Sequence, residues 1–447
     1  MAKINDLPLE LLQYIFVLSC NNIPWVTYEI PSRKVPTQHK LLSVCRHWHD
    51  AATTTSNLWS YIIVNFIKGD PSHADGLLSL ALKRSGNAPL DISISATGWN
   101  KLAKTLIPTS RRWRRLSLLT KGCKINSLAN LQDRIPNLMF FDWMEPANIG
   151  SARDFRMLSK VFRNSPSLKQ LRCNAGLHLV VSFPWSQLTH LTVFCFPGFG
   201  LAPFPRIREI LAQVVPECIS LEYIDLDGES SPGSIIHNAN LKKLLPCRYQ
   251  KHWLPYYKFP SLRKLDIDFG TIPRCEDFVQ RSGCSLTTLT IRISKWPAAL
   301  ISSLYDLLPT LSSLECLTMD VTHPSLRLTG PVCWGMLDMF RPFTSAVPPT
   351  LREFHLRIEG HYRPCAEGCR DVLQVGMSVA GKVLGPRNSI QRATIMILAF
   401  YNGNARLVDR LTLDTAEMVE DNAREQGVDL RFTFGVMREN VMYRKIL

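Results

Sequence analysis

Apolar positions near the amino terminus keep a helical period. Between Leu7 and Leu18, Leu11, Ile15 and Leu18 fall at i, i+4, i+7, while Leu12 and Phe16 fall at i, i+4. Pro8 suits the first helical position, and Glu10 lies in the first turn, where the helix dipole favours an anion. This apolar face is broader than one neighbour covers, so a partner helix is required. Pro24, Pro31 and Pro36 forbid a continuous helix from Asn21 to Lys40. Leu41, Cys45, Trp48 and Ala52 then return to helical spacing, and Leu58-Trp59 follows a short polar turn.

From residue 59 onward the period shifts towards two. Tyr61-Ile62-Ile63-Val64 and Leu90-Asp91-Ile92-Ser93-Ile94 read as strands, separated by a helix from Ala74 to Arg84 that Gly86 closes and Pro89 follows. A frame of apolar residues at positions one, four and six then recurs. Its copies are Leu138-x-x-Phe141-x-Trp143, Leu168-x-x-Leu171-x-Cys173, Leu188-x-x-Leu191-x-Val193, Leu221-x-x-Ile224-x-Leu226, Leu262-x-x-Leu265-x-Ile267, Leu286-x-x-Leu289-x-Ile291, Leu314-x-x-Leu317-x-Met319 and Leu351-x-x-Phe354-x-Leu356. Successive intervals of 30, 20, 33, 41, 24, 28 and 37 residues leave room for helices. Arg153 to Phe162, Ile207 to Val215, Ala298 to Leu308 and Cys333 to Phe340 are the amphipathic candidates. The expectation is an α/β chain in which strand and helix alternate as a solenoid, each unit covering its neighbour's half-exposed layer. A non-repetitive α/β domain, with the frame as common wording for a buried strand, is the other reading. At the far end Leu407 to Gln426 reads as a helix and Asp429 to Phe434 as a closing strand that shields the last edge.

Composition narrows the class. The chain has 447 residues, 46% hydrophobic and 20% charged, which supplies a sizeable interior and excludes a mainly disordered polymer. No apolar run reaches the roughly 18 residues of a membrane span, and the start offers no signal-peptide core, so membrane and secretory classes are not expected. Thirteen scattered cysteines, an odd number, do not form a disulfide framework. Reduced, core-packed thiols in a cytoplasmic or nuclear protein are the expectation. Of the net charge of +15, residues 71 to 173 hold +11, so the basic excess is regional.

The residues Leu7-Pro8-x-Glu10-x-Leu12-x-x-Ile15-Phe16, then Leu42-x-Val44-Cys45-Arg46-x-Trp48, then Leu58-Trp59 resemble the F-box family. That family is the short helical module that docks a substrate receptor onto the Skp-type adaptor of cullin-RING ubiquitin ligases. The resemblance spans about residues 4 to 64. It implies that Leu7, Pro8, Leu12, Ile15, Val44, Cys45, Trp48 and Trp59 form the adaptor-binding surface and its supporting core. It departs from the family in the loop of about twenty residues between the helices, an insertion similar to those of large fungal F-box families and cheap in closure entropy. The recurring frame resembles leucine-rich repeats in degenerate form. The family's Asn or Cys at the ninth position is replaced by Gly176, Phe196, Glu229, Gly270 and Ser294 in five copies, so an irregular horseshoe is expected. The expected organisation is residues 1–64 as an F-box domain and 65–447 as the repeat array, with a cap over about 390–447.

Sites that carry chemistry are sparse. Gly376 to Lys382 has phosphate-loop spacing, but Val383 lacks the hydroxyl that holds magnesium. His355, His361, Cys365 and Cys369 supply zinc-ligand types without a second Cys pair. His47-Trp48-His49-Asp50 cannot converge on one helix, and the acidic pairs Asp225/Asp227 and Asp266/Asp268 alternate with frame leucines and point outward on a strand face. No catalytic residue, cofactor or metal is expected. The basic run Arg111, Arg112, Arg114 and Arg115, with Trp113 between, reads three ways: a solvated face, a grip on an acidic or phosphorylated protein segment, or a nucleic-acid contact, the last disfavoured by the lone aromatic. The function expected is a substrate-recognition subunit of an SCF-type cullin-RING E3 ubiquitin ligase, partnered by the adaptor, the cullin and RING subunits through it, and a protein target. A stand-alone repeat scaffold for protein interaction, outside any ligase, is the alternative.

Overall fold

The computed structural model describes residues 7–20, 37–66, 71–96, 99–118, 125–143, 159–174, 183–194, 214–227, 235–246, 254–293, 301–327, 347–361, 390–400, 420–421, 423–425, 428–438 and 441–446. The chain divides into two compact units, Met1–Leu221 and Glu222–Leu447.

The first unit opens with helices α1 (Leu9–Cys20), α2 (Thr37–Leu42) and α3 (Arg46–Thr54), followed by a 3-10 turn at Ser56–Trp59. The apolar run from Leu41 to Ala52 is therefore two helices and not one. Ser43 Oγ donates to Lys40 O at 2.8 Å, competing with the backbone ladder, and Cys45 is fully extended (φ −161°, ψ 171°) ahead of α3. Val44 sits in the break. Strand β1 (Tyr61–Phe66), helix α4 (Pro71–Arg84), strand β2 (Leu90–Ala96), helix α5 (Trp99–Leu106) and strands β3 (Trp113–Leu118), β4 (Phe140–Trp143), β5 (Gln170–Asn174) and β6 (His190–Phe194) complete it. Gly86 ends α4 with φ +50°, the left-handed conformation that favours glycine.

Each of these strands pairs parallel with the next, in chain order. The register aligns Ile62, Ile92, Leu116, Phe141, Leu171 and Leu191 in one row and Val64, Ile94, Leu118, Trp143, Cys173 and Val193 in another, and all twelve are buried. These are the fourth and sixth frame positions. Burying such a side chain is worth about 1.5–3 kcal/mol, which makes the alternation decisive for which face turns inward. Aromatic rings extend that layer: Phe141 lies 4.3 Å from Phe162, and Phe162 lies 5.2 Å from Phe183.

The second unit holds β7 (Tyr223–Asp227), β8 (Ile236–His237), β9 (Lys243–Pro246), β10 (Tyr257–Lys258), β11 (Lys264–Asp268), α6 (Cys275–Ser282), β12 (Thr288–Arg292), α7 (Ile301–Thr310), β13 (Cys316–Arg327), β14 (Glu353–His361), β15 (Arg392–Phe400), β16 (Asp429–Arg438) and β17 (Val441–Ile446). Its main sheet runs β7-β9-β11-β12-β13-β14-β15-β16-β17, parallel throughout until β17 turns back antiparallel on β16. The strand expected at Asp429 to Phe434 is therefore an inner member, and β17 takes the edge.

All eight frames supply strands, and further copies exist, among them Trp59-x-x-Ile62-x-Val64 in β1. Trp113-x-x-Leu116-x-Leu118 builds β3, Leu241-x-x-Leu244-x-Pro246 builds β9, and Ile390-x-x-Ala393-x-Ile395 builds β15. The copy at Leu241 divides the interval of 41 residues into steps of 20 and 21. A shared backbone device explains the repetition. The N–H of the first frame residue bonds to a carbonyl three residues earlier, as in Leu138 to Ile135, Leu168 to Ser165, Leu221 to Cys218, Leu262 to Phe259 and Leu314 to Leu311. The next residue's carbonyl then accepts two N–H groups from the following copy: Lys169 O from Thr189 and His190, Lys242 O from Arg263 and Lys264, Glu315 O from Arg352 and Glu353. Turn and ladder are thus satisfied together at these steps. The chain is a mixed α/β protein with repeated parallel strands, compatible with a leucine-rich-repeat-like solenoid.

Of the expected helices, residues 159–163, 214–217 and α7 are helical, while Cys333 to Phe340 lies outside the described residues. Most of Leu407 to Gln426 also lies outside them. No helix among the described residues is long and apolar enough to cross a membrane.

Candidate functional site

Two surfaces of the first unit hold the residues singled out in the sequence. The first is the helical module. Leu12 and Phe16 of α1 turn inward, where Phe16 meets the Trp48 ring of α3 at 4.9 Å. Trp59 is fully buried, donates its indole N–H to Ala52 O at 2.8 Å, and carries the Arg84 guanidinium 4.5 Å above its ring. Gln13 Nε2 ties α1 to α3 through Thr54 Oγ1 at 3.1 Å. With that core closed, the opposite side of α1 is left over: Leu11 is 51% exposed, Ile15 40%, Leu18 52% and Val44, in the turn before α3, 56%. Leu9 and Tyr14 are exposed as well.

The eight residues expected for adaptor docking therefore separate by burial. Leu12 and Trp59 are core, Leu7, Cys45 and Trp48 are half-buried, and Pro8, Ile15 and Val44 are exposed. Leu9, Leu11, Tyr14 and Leu18 were not in that set. Their signal was already in the sequence, because α1 is apolar nearly all round and only one side can face Trp48 and Trp59.

The second surface is a cavity of about 390 Å³ whose wall includes Cys20, Ser60, Tyr61, Asp91, Arg114 and Arg115. The basic run does not act there as one patch. Arg111 is exposed and its carbonyl accepts a bond from Asn137 Nδ2 at 2.8 Å. Arg112 is spent on the fold: Nε and Nη2 donate to Ala88 O at 3.0 and 2.9 Å, and Nη2 donates to the buried Ser85 Oγ at 2.7 Å. Trp113 is wholly buried as the first frame residue of β3. Between β2 and β3 the register slips, Leu90 facing Trp113 and Asp91 facing Arg115, so Arg114 is the extra residue. Its guanidinium forks onto Asp91, Nε to Oδ1 at 2.9 Å and Nη2 to Oδ2 at 2.6 Å. Arg115 lies 4.5 Å over the Phe140 ring.

Further along the same face, Asp142 is buried between Ser117 Oγ, which donates to Oδ2 at 3.4 Å, and Arg172 Nη1 at 3.8 Å. Desolvation raises its carboxyl above the ordinary range, and Arg172 partly offsets that.

The remaining motifs gather no reactive geometry among the described residues. His49 Nδ1 and Asp50 Oδ1 are 3.4 Å apart in solvent on α3. Asp266 does not stand freely outward: it is buried and paired with Arg292 Nη2 at 2.6 Å. Gly376 to Val383, Cys365 and Cys369 lie outside the described residues, as do the side chains of Asp225, Asp227 and His361.

No family model matches the chain and no curated protein matches it. Solved structures similar to it include the leucine-rich repeat-containing protein LegL7 from Legionella pneumophila, at 10% identity and TM-score 0.30, covering 85% of this chain and 91% of that one. Another is the Rad7 and Elc1 complex in yeast, at 14% identity and TM-score 0.30, covering 90% of this chain and 91% of that one. Likeness at that level carries no functional inference.

Proposed function

We propose that the chain is a substrate receptor of a cullin-RING ubiquitin ligase, docking a Skp-type adaptor through an F-box at residues 1–64 and a target protein through its strand face. The observation that carries this reading is the exposed apolar side of α1, Leu11, Ile15 and Leu18, together with Val44, over a closed core. Large apolar side chains left in water on a small helical module are what a protein interface with a desolvated centre requires. Of these, Ile15 and Val44 belong to the residues that carry the F-box resemblance, and Leu11 and Leu18 extend the exposed side along α1. The strand face supports the second half of the reading, since Arg114 and Arg115 offer a target chain charged and stacking groups beside a cavity. No reaction is assigned to this chain. Its contribution is to raise the effective concentration of the target near a charged ubiquitin carrier.

The test is copurification of the full chain with a Skp-type adaptor. Wild type retains the adaptor, and Ile15→Asp with Val44→Asp loses it while the far-UV spectrum and unfolding midpoint stay unchanged, because both side chains are already exposed. A wild-type chain that retains no adaptor overturns the receptor reading and leaves the repeat scaffold.

A further inference from the structure

The second unit brings three metal-binding side chain types together on adjacent strands. Cys316 opens β13 and Glu353 opens β14, and the two are direct partners in the parallel register. His355, two residues on, shares Glu353's side of the strand. The donor atoms of Cys316, Glu353 and His355 all lie within 4.8 Å of one another, with His355 Nε2 at 3.5 Å from Glu353 Oε2. All three residues are half-buried, so their rotamers are restrained while the site stays open to solvent. Arg392, the partner of Glu353 on β15, donates from Nη2 to Oε1 and leaves Oε2 on the histidine side.

We propose that Cys316 Sγ, His355 Nε2 and a Glu353 carboxylate oxygen bind one Zn²⁺ ion, with the fourth coordination position open to water. The donor set decides the metal: thiolate and imidazole suit zinc, whereas calcium and magnesium take oxygen donors. Geometry is compatible. Tetrahedral zinc places a thiolate sulfur and an imidazole nitrogen about 3.5 Å apart, so closing on the ion needs inward side-chain movement of about 1 Å. Arg392 then has the part of an outer partner that holds the ligating carboxylate. The site differs from the set read in the sequence, keeping His355 but taking Cys316 and Glu353 from positions 37 residues apart.

Binding is proton-linked. Burial, and then the Glu353 carboxylate, raise the Cys316 thiol above its ordinary range, while Thr318 on its own strand, Lys264 on β11 and Arg392 on β15 pull it back. The thiol must lose its proton to ligate, so affinity rises with pH.

The probe is Co²⁺ added to the full chain stripped with EDTA. The expected result is thiolate-to-cobalt charge-transfer absorption that saturates at one ion per chain and is displaced by Zn²⁺. Cys316→Ser and His355→Gln each weaken binding at least about 10-fold, the effect that removing even an outer partner has. Cys284→Ser, a buried thiol elsewhere in the unit, leaves the band intact. Glu353→Gln keeps the side chain's shape and serves as a third ligand variant should either of the first two fail to fold. Absence of the band in wild type overturns the site, as does its survival in the folded ligand variants; both leave an Arg392–Glu353–His355 charge cluster beside a bystander thiol.

Discussion

Arg114 closes both oxygens of Asp91 in a fork, at 2.9 and 2.6 Å, across the one-residue slip between β2 and β3. Because the slip adds a residue to β3, two consecutive arginines stand on the exposed side: Arg114 is held by Asp91 and Arg115 rests on Phe140. The fork binds Arg114 to a carboxylate, whereas Arg115 is placed by an aromatic ring. The basic run thus contains separable roles.

Arg112→Ala is expected to destabilise the first unit by about 1–3 kcal/mol, since it removes the bonds to Ala88 O and leaves buried Ser85 Oγ without that donor. Arg115→Glu costs less, about 0.5–1 kcal/mol, the size of the exposed cation–π contact with Phe140 that it removes. Urea unfolding measures both. If the arginines hold an acidic target, Arg114→Glu with Arg115→Glu changes the set of proteins that copurify with the chain.

Trp59→Ala removes a wholly buried indole under the helical module and is expected to cost about 3–5 kcal/mol. Leu18→Ser, on the exposed side of α1, leaves the unfolding midpoint in place while weakening adaptor retention. Equal losses of stability in both variants would contradict the division of α1 into a core side and a free side.

Gly86 holds φ at +50°, and a Cβ added there meets Ser56 Oγ at 3.4 Å, an ordinary contact. The cost of Gly86→Ala is therefore conformational and not steric, about 1–2 kcal/mol. Thermal unfolding reads it, and Gly76→Ala, a helical glycine with open space around its Cβ position, moves the midpoint the other way.

Asp266 predicts a pH response. Burial pushes its carboxyl from the ordinary 3.8 up to about 6, opposed by the Arg292 ion pair and reinforced by Asp320 and Asp268. Among the described residues its buried Oδ1 has no hydrogen-bond partner. The folded state therefore binds the proton more tightly than the unfolded chain, and the contribution is full below about pH 4 and lost as pH rises through about 6. A rise from 3.8 to about 6 corresponds to about 3 kcal/mol. Asp266→Asn removes that dependence, so its stability relative to wild type, measured by urea unfolding, improves by about 2–3 kcal/mol between pH 4 and pH 7. A constant difference across that range would contradict the raised carboxyl.

Alternation was enough to find most of the strands. Residues at frame positions four and six must leave water together, so Leu171 with Cys173 and Leu289 with Ile291 declare their face without reference to anything distant. The same logic missed β3, β9 and β15 where Trp113 was read among arginines, where Pro246 took the sixth position, and where Ala393 took the fourth. Helix α1 was legible for the same local reason, including its surplus of apolar surface. What the sequence could not determine was which outward residues meet. Successive frames of the array from Trp113 to Ile390 start 20 to 39 residues apart, and the alignment of their strands depends on how each turn stacks on the last. That alignment set Asp91 under Arg114, covered Asp266 with Arg292, and brought Cys316 beside Glu353 and His355. Facing in or out is a property of one strand, whereas a pair of side chains on two strands exists only once the register between them is closed by the ladder.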